Sequence, residues 1–203
     1  MVKSLGGSLK IQRKSLSQFS TSYIVVTLME SKYSKRVIEK LNQIAEALPN
    51  LTPKEVISYW ITAELEEAEM LYKLSESFRD IAKNDEIANV LLKLARESAE
   101  HAESLLDVYK KAFQSEEVLQ VSLPSLEVVL QEELLTKFLK DGNYMGLLRA
   151  LREVEIIAHR TYLYLSEYVE DEKLRDIFKW LAEEELRHYE LINNLYRTQL
   201  SLK

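Results

Sequence analysis

Apolar side chains recur along this chain in alternating steps of three and four, the spacing of a helix that buries one stripe. The clearest run is Leu174, Phe178, Leu181, Glu185, His188, Ile192 and Leu195. Its middle breaks the chemistry but not the rhythm: Glu185-Leu186-Arg187-His188 sets a carboxylate and an imidazole one turn apart on the buried side. A carboxylate buried without a partner costs several kcal/mol or shifts its pKa until it is neutral. Partners for Glu185 and His188 must therefore come from elsewhere in the chain.

The same rhythm predicts three more long helices. Thr52-Pro53-Lys54-Glu55 has the form of a capping box with proline at the first helical position, and the helix it opens should run to about Arg79. Asn84-Asp85 caps a second, ending near Phe113, and Asn143 starts a third that reaches about Val169. An acidic turn at Glu170-Asp171-Glu172 leads into the fourth. Shorter helices are expected over 33–48, ended by Pro49-Asn50, and over 126–139, closed by Asp141-Gly142, with a polar connection at 114–125. The fold class expected is all-α, a four-helix bundle of two hairpins, about 53–113 and 143–199, joined through 114–142. The domain is expected to span 33–203, behind an arm at 1–32.

Composition narrows the chemistry. Of 203 residues 46% are hydrophobic and 30% charged, with four glycines and three prolines, which favours long helices. A net charge of −6 gives no sign of a nucleic-acid partner. The chain has no cysteine, so disulfides, thiolate metal sites and iron–sulfur clusters within it are excluded. No apolar run approaches the ~20 residues of a membrane span, and a cytoplasmic protein is expected. Residues 1–29 carry Lys3, Lys10, Arg13 and Lys14, six serines and no acid. Their one apolar run, Tyr23 to Met29, is short for a signal-peptide core, which favours a disordered arm or an extension ahead of a start at Met29.

The two long pairs resemble each other. Ala68 and Tyr72 correspond to Ala158 and Tyr162; Leu94, Ala95, Glu97, His101, Glu103 and Tyr109 correspond to Leu181, Ala182, Glu184, His188, Glu190 and Tyr196. Two hairpins related by an approximate two-fold would bring equivalent positions to the centre. The third helix presents Leu148, Leu151, Glu155, Ala158, Tyr162 and Leu165, and the second Ile87, Leu91, Leu94, Ser98, His101, Leu105 and Val108. For the first, the expected stripe is Ser58, Ile61, Leu65, Ala68, Tyr72 and Ser75. The second hairpin then offers Glu155, Glu185 and His188, and the first only His101, with Leu65 and Ser98 in the acidic places.

These residues resemble the rubrerythrin branch of the ferritin-like superfamily, which uses Glu-x-x-x-x-x-x-Tyr on its first and third core helices and Glu-x-x-His on its second and fourth. Glu155 with Tyr162 and Glu185 with His188 match the second half; Tyr72 and His101 match the first, where Leu65 and Ser98 depart. The resemblance covers roughly 53–198 and implies six ligands, four glutamates and two histidines, for two metals that reduce peroxide or dioxygen. Both departures fall on the metal position served by His101. Glu64, Glu66 and Glu67 flank Leu65, and Glu97 and Glu100 flank Ser98, but flanking acids read as solvated faces; Glu97, four residues before His101, would join only through a helix rotation or π-bulge.

Two readings follow. In one, Glu155, Glu185, His188 and His101 hold one metal, or two if Glu97 is recruited; iron, manganese or zinc suits such ligands. Tyr72 and Tyr162 would hydrogen-bond to the glutamates or take part in redox steps, and without cysteines electrons would come from an external donor. In the other, the bundle is catalytically inactive, a metal-free network with a structural or interaction role. His159 is expected to form a surface pair with Glu155, and Trp60 and Trp180 to serve as packing. A homodimer suits either reading, and the long 110–143 connection would permit hairpin exchange.

Overall fold

Thr52 opens the first long helix as its sequence implies. Its hydroxyl accepts from the Glu55 N–H (3.3 Å) while the Glu55 carboxylate accepts from the Thr52 N–H (2.7 Å), and Pro53 needs no donor partner there. In the computed structural model, which describes residues 50–125, 141–169 and 171–201 together with Glu39, Gln43 and Ala47, four long helices follow. They are α1 (Pro53–Asp80), α2 (Asp85–Phe113), α3 (Tyr144–Tyr168) and α4 (Glu172–Ser201). The other three starts are also capped by side chains: Asn84 accepts from Ile87 N–H, Asn143 from Gly146 N–H and Asp171 from Leu174 N–H. A Cβ at Gly146 would meet the Asn143 side chain at 2.7 Å, so glycine there leaves room for the cap. The expected helices at 33–48 and 126–139 and the arm at 1–32 lie outside the described residues, apart from the three isolated positions, each helical.

The helices form an all-α bundle. α1 packs along α2 and α3 along α4 as two hairpins, and α2 meets α4 between them. The core has two apolar parts. One gathers Ile57, Trp60, Leu105, Tyr162, Phe178 and Leu181; the other gathers Leu71, Leu74, Phe78, Leu91, Leu148 and Ile192. Between the two lie the buried acids and histidines of the described helices: Glu64 and Glu67 on α1, His101 on α2 with Ser98 one turn before it, Glu155 on α3, and Glu185 and His188 on α4, all at most 3% exposed. A belt of ionisable groups thus crosses a core that is otherwise close-packed hydrocarbon.

The stripes expected for α3 and α4 are buried as read, and that of α2 also, with Val108 partly exposed. Of the stripe expected for α1, Ser58, Ile61 and Ser75 are buried as read, but its middle is corrected. Leu65 and Tyr72 face solvent, 52% and 51% exposed. The buried series is Ile57, Trp60, Glu64, Glu67, Leu71, Leu74 and Phe78, again in steps of three and four. Through the middle of the helix the buried face is displaced by one residue, about 100°, from the expected one. Leu65→Lys should therefore change unfolding free energy by no more than about 0.5 kcal/mol, as for a surface site. Urea denaturation checks this; a loss of about 2 kcal/mol or more would mean that Leu65 belongs to the core.

Candidate metal centre

Each buried polar side chain of the belt arrives on a helix whose neighbouring turns are fixed by apolar packing. Two groups result, each with one ligand atom per residue and all such atoms within 4.8 Å of one another: Glu64, His101 and Glu185, and Glu155, Glu185 and His188. Glu185 belongs to both, so α4 supplies a carboxylate shared between two adjacent triads.

In the first triad His101 Nδ1 lies 3.2 Å from Glu64 Oε2 and 3.5 Å from Glu185 Oε1. The other oxygen of Glu64 accepts a hydrogen bond from the Tyr162 hydroxyl, which holds Glu64 from the opposite hairpin. In the second, His188 Nδ1 lies 3.2 Å from Glu185 Oε2 and 3.8 Å from Glu155 Oε2. The two imidazole rings stack at 5.3 Å between centroids with 16° between their planes, and Trp180 meets His101 edge-on at 5.2 Å.

Burial and charge pull these groups in opposite directions. Burial favours neutral His101, but the Glu64 and Glu185 carboxylates outweigh it and hold the imidazolium up to a pKa of about 9. His188 is likewise raised well above the usual histidine range, burial being overcome by Glu185, Glu155 and Glu97. Burial pushes Glu155 up to about 8 against the pull of His188. Glu185 goes the other way: burial is overcome by His188 and His101, and its carboxyl is lowered. Two neighbouring carboxyls pushed apart in this manner mark a site rather than ordinary core.

Neither oxygen of Glu155 has a hydrogen-bond partner among the described residues, and the approaches of Glu185 Oε2 to His188 Nδ1 (3.2 Å) and of His188 Nε2 to Glu97 Oε2 (3.4 Å) lack hydrogen-bond geometry, although both Glu155 oxygens, Glu185 Oε2 and His188 Nε2 are buried. Buried polar atoms are nearly always satisfied, so four orphans in one cluster point to a missing ligand. Carboxylate oxygens and imidazole nitrogens are the donors that iron, manganese and zinc accept. The orphaned atoms lie in the second triad, whose residues therefore fit a metal ion; the first triad offers donors of the same kind.

Of the residues expected at the site, the structure brings together His101, Glu155, Glu185 and His188. Glu97 stands at the edge. Its side chain is 29% exposed, its Oε2 lies 3.4 Å from His188 Nε2, and Lys93 bonds both its oxygens. The His188 contact above all, aided by Lys93, lowers its pKa to about 2. Glu97 thus faces His188 from the rim while paired with Lys93. Tyr162 touches Glu64, whereas Tyr72 lies on the solvent face of α1, because the helix buries Glu64 and Glu67 instead. His159 does not pair with Glu155 at the surface; its Nδ1 lies 2.6 Å from the Ala182 carbonyl oxygen, bridging α3 to α4. Glu64 and Glu67, read from the sequence as solvated flanks of Leu65, are buried instead, and the spacing that continues back from Phe78, Leu74 and Leu71 passes through both.

No match arises among curated proteins. A solved structure of a hypothetical protein from Pyrococcus furiosus shares the fold, with a TM-score of 0.58 and 23% identity over 76% of this chain and 94% of that one. Among the described residues no helix is long and apolar enough to cross a membrane. The family profile described as Rubrerythrin matches residues 55–196, a span that contains both triads, and the chain belongs to the rubrerythrin family.

Proposed function

We propose that this protein holds two metal ions, iron foremost, one in each triad, and that with them it reduces peroxide or dioxygen using electrons from an external donor. The observation that carries this reading is the set of orphaned buried atoms on Glu155, Glu185 and His188. Bound iron would pass on the donor's electrons and offer a Lewis-acidic contact for the oxygen species. Glu185, shared by both triads, would hold the two ions at a fixed separation. Tyr162 fixes the rotamer of Glu64 through its hydroxyl. Glu97 lies behind His188, placed to fix its ring orientation. The apolar clusters on either side of the belt exclude bulk water, which strengthens every electrostatic contact within it.

Leu65 does not mark a lost ligand in this reading, because Glu64 occupies the buried position. Manganese would be held by the same donors, as would zinc, though zinc carries no redox chemistry. Without cysteine the chain has no thiolate relay, so a separate reductant is part of the proposal. A homodimer in the cytoplasm belongs to the same reading, and sedimentation of the purified chain tests the assembly.

A second reading is favoured by the ion pairs themselves. Protonated His101 and His188 lie against Glu64 and Glu185, so the belt largely neutralises itself without metal and would suit a structural bundle. Elemental analysis after expression with iron, manganese and zinc available separates the two. We expect close to two ions per chain; a protein that remains metal-free under those conditions removes the first reading and leaves the second.

A further inference from the structure

We propose that Glu67 supplies to the metal pair the carboxylate that position 98 lacks, an inference that rests on the two-ion reading above. On α4 the sequence Glu185-x-x-His188 places a carboxylate one turn before the imidazole. On α2 the corresponding place before His101 holds Ser98, which is fully buried and cannot bear a charge. Glu67 faces that place from the adjacent helix. It sits one turn after Glu64 on the buried stripe of α1, is 3% exposed, and its Oε2 accepts from the Ser98 hydroxyl at 3.4 Å. The short side chain at 98 leaves the volume into which the long side chain at 67 reaches. The serine keeps its own helix intact by donating also to the Leu94 carbonyl at 3.1 Å.

Charge selects the same residue. Two divalent ions bring four positive charges into a site sealed by hydrocarbon. Glu64, Glu155 and Glu185 offset three, and uncompensated charge is costly there. Glu97 is committed at the rim to Lys93, 2.8 Å away. Glu67 is the remaining buried carboxylate of the belt, and with it four carboxylates balance two ions.

Cobalt(II) titration of the metal-free protein, followed by calorimetry and visible absorption, tests this. The wild type should bind two ions; if it binds none, the two-ion reading and this inference fall together. Given two, Glu67→Gln should keep one ion at wild-type affinity and weaken the other at least about tenfold, the lower end of what even an outer-shell partner costs. The exchange variant Glu67→Ala/Ser98→Glu, which returns the carboxylate to α2, should recover two ions and the wild-type absorption. A Glu67→Gln protein that binds two ions with wild-type affinities overturns the inference while leaving the two-ion reading in place. So does an exchange variant that is folded by circular dichroism yet keeps the weak second site; that variant alone decides if Glu67→Gln does not fold.

Discussion

Replacing Glu185 with alanine should abolish binding at both metal positions, whereas Glu64→Ala or Glu155→Ala should impair one each. The difference follows from membership: Glu64 and Glu155 each belong to one triad and Glu185 to both. Loss of the shared ligand should weaken each ion by more than about 100-fold, beyond the range found for outer-shell partners. Peroxide turnover, if the proposed activity holds, should fall with it. The metal-free variant should also be less stable. His101 and His188 would lose the carboxylate that lies 3.5 and 3.2 Å from their Nδ1 atoms. Removing one partner of a buried ion pair costs about 3–5 kcal/mol. Elemental analysis and urea unfolding of the variant give the two readouts. A Glu185→Ala protein that retains two tightly held ions would show that the triads do not form the site; one that is destabilised but never held metal as wild type would support the structural bundle.

Metal uptake near pH 7 should release about three protons per chain, because His101, His188 and Glu155 must each lose a proton before offering a lone pair. Their pKa values in the metal-free fold, about 9 for His101, well above the ordinary range for His188 and about 8 for Glu155, leave all three largely protonated at that pH. Apparent affinity should therefore rise steeply with pH through the range in which Glu155 and His101 lose their protons, about 8 to 9. Calorimetry in buffers of different ionisation enthalpy counts the protons, and a release near zero would contradict the assignment of these three as ligands. The same shifts set the stability of the metal-free protein. The His101 pKa is raised from 6.5 to about 9, so its contribution is complete below 6.5 and is lost as pH rises through 9. Glu155, raised from 4.5 to about 8, favours the fold while protonated and adds to the loss over its own range. Glu185 and Glu97, both lowered, contribute above 4.5 and withdraw as acid protonates them. Between about 6.5 and 9 the metal-free protein should thus lose stability, and bound metal should remove that dependence.

The α1 helix shows where local pattern misleads. Within Glu64-Leu65-Glu66-Glu67 a hydrophobicity rule selects Leu65 as the buried residue, since carboxylates are rarely inside. A shift of one residue rotates a helix by about 100°, and two candidate stripes can then keep the same three–four rhythm. Which one is buried depends on what stands opposite. His101 on α2 and Tyr162 on α3 receive Glu64, and Ser98 receives Glu67, so the acids turn inward and Leu65 is left in water. The stripe could be extended from Leu71, Leu74 and Phe78, where no polar residue competes, but that requires accepting two buried acids before their partners are known.

On α3 and α4 no such conflict arises, because each polar member is framed on both sides by large apolar residues. Glu185 and His188 lie between Leu181 and Ile192, and Glu155 between Leu151 and Tyr162, so rhythm alone places them. Helix starts were legible for a similar reason: a capping side chain bonds a backbone N–H two or three residues away and needs nothing distant. The sequence by itself thus determined the four helices, their pairing into hairpins and the buried faces of His101, Glu155, Glu185 and His188. Only the tertiary structure decided the face of the middle of α1, the burial of Glu64 and Glu67, the place of Glu97 at the rim and the exposure of Tyr72. Those depend on charges and hydroxyls from helices distant in the chain, whose attraction for a buried carboxylate exceeds the preference of one leucine for the core.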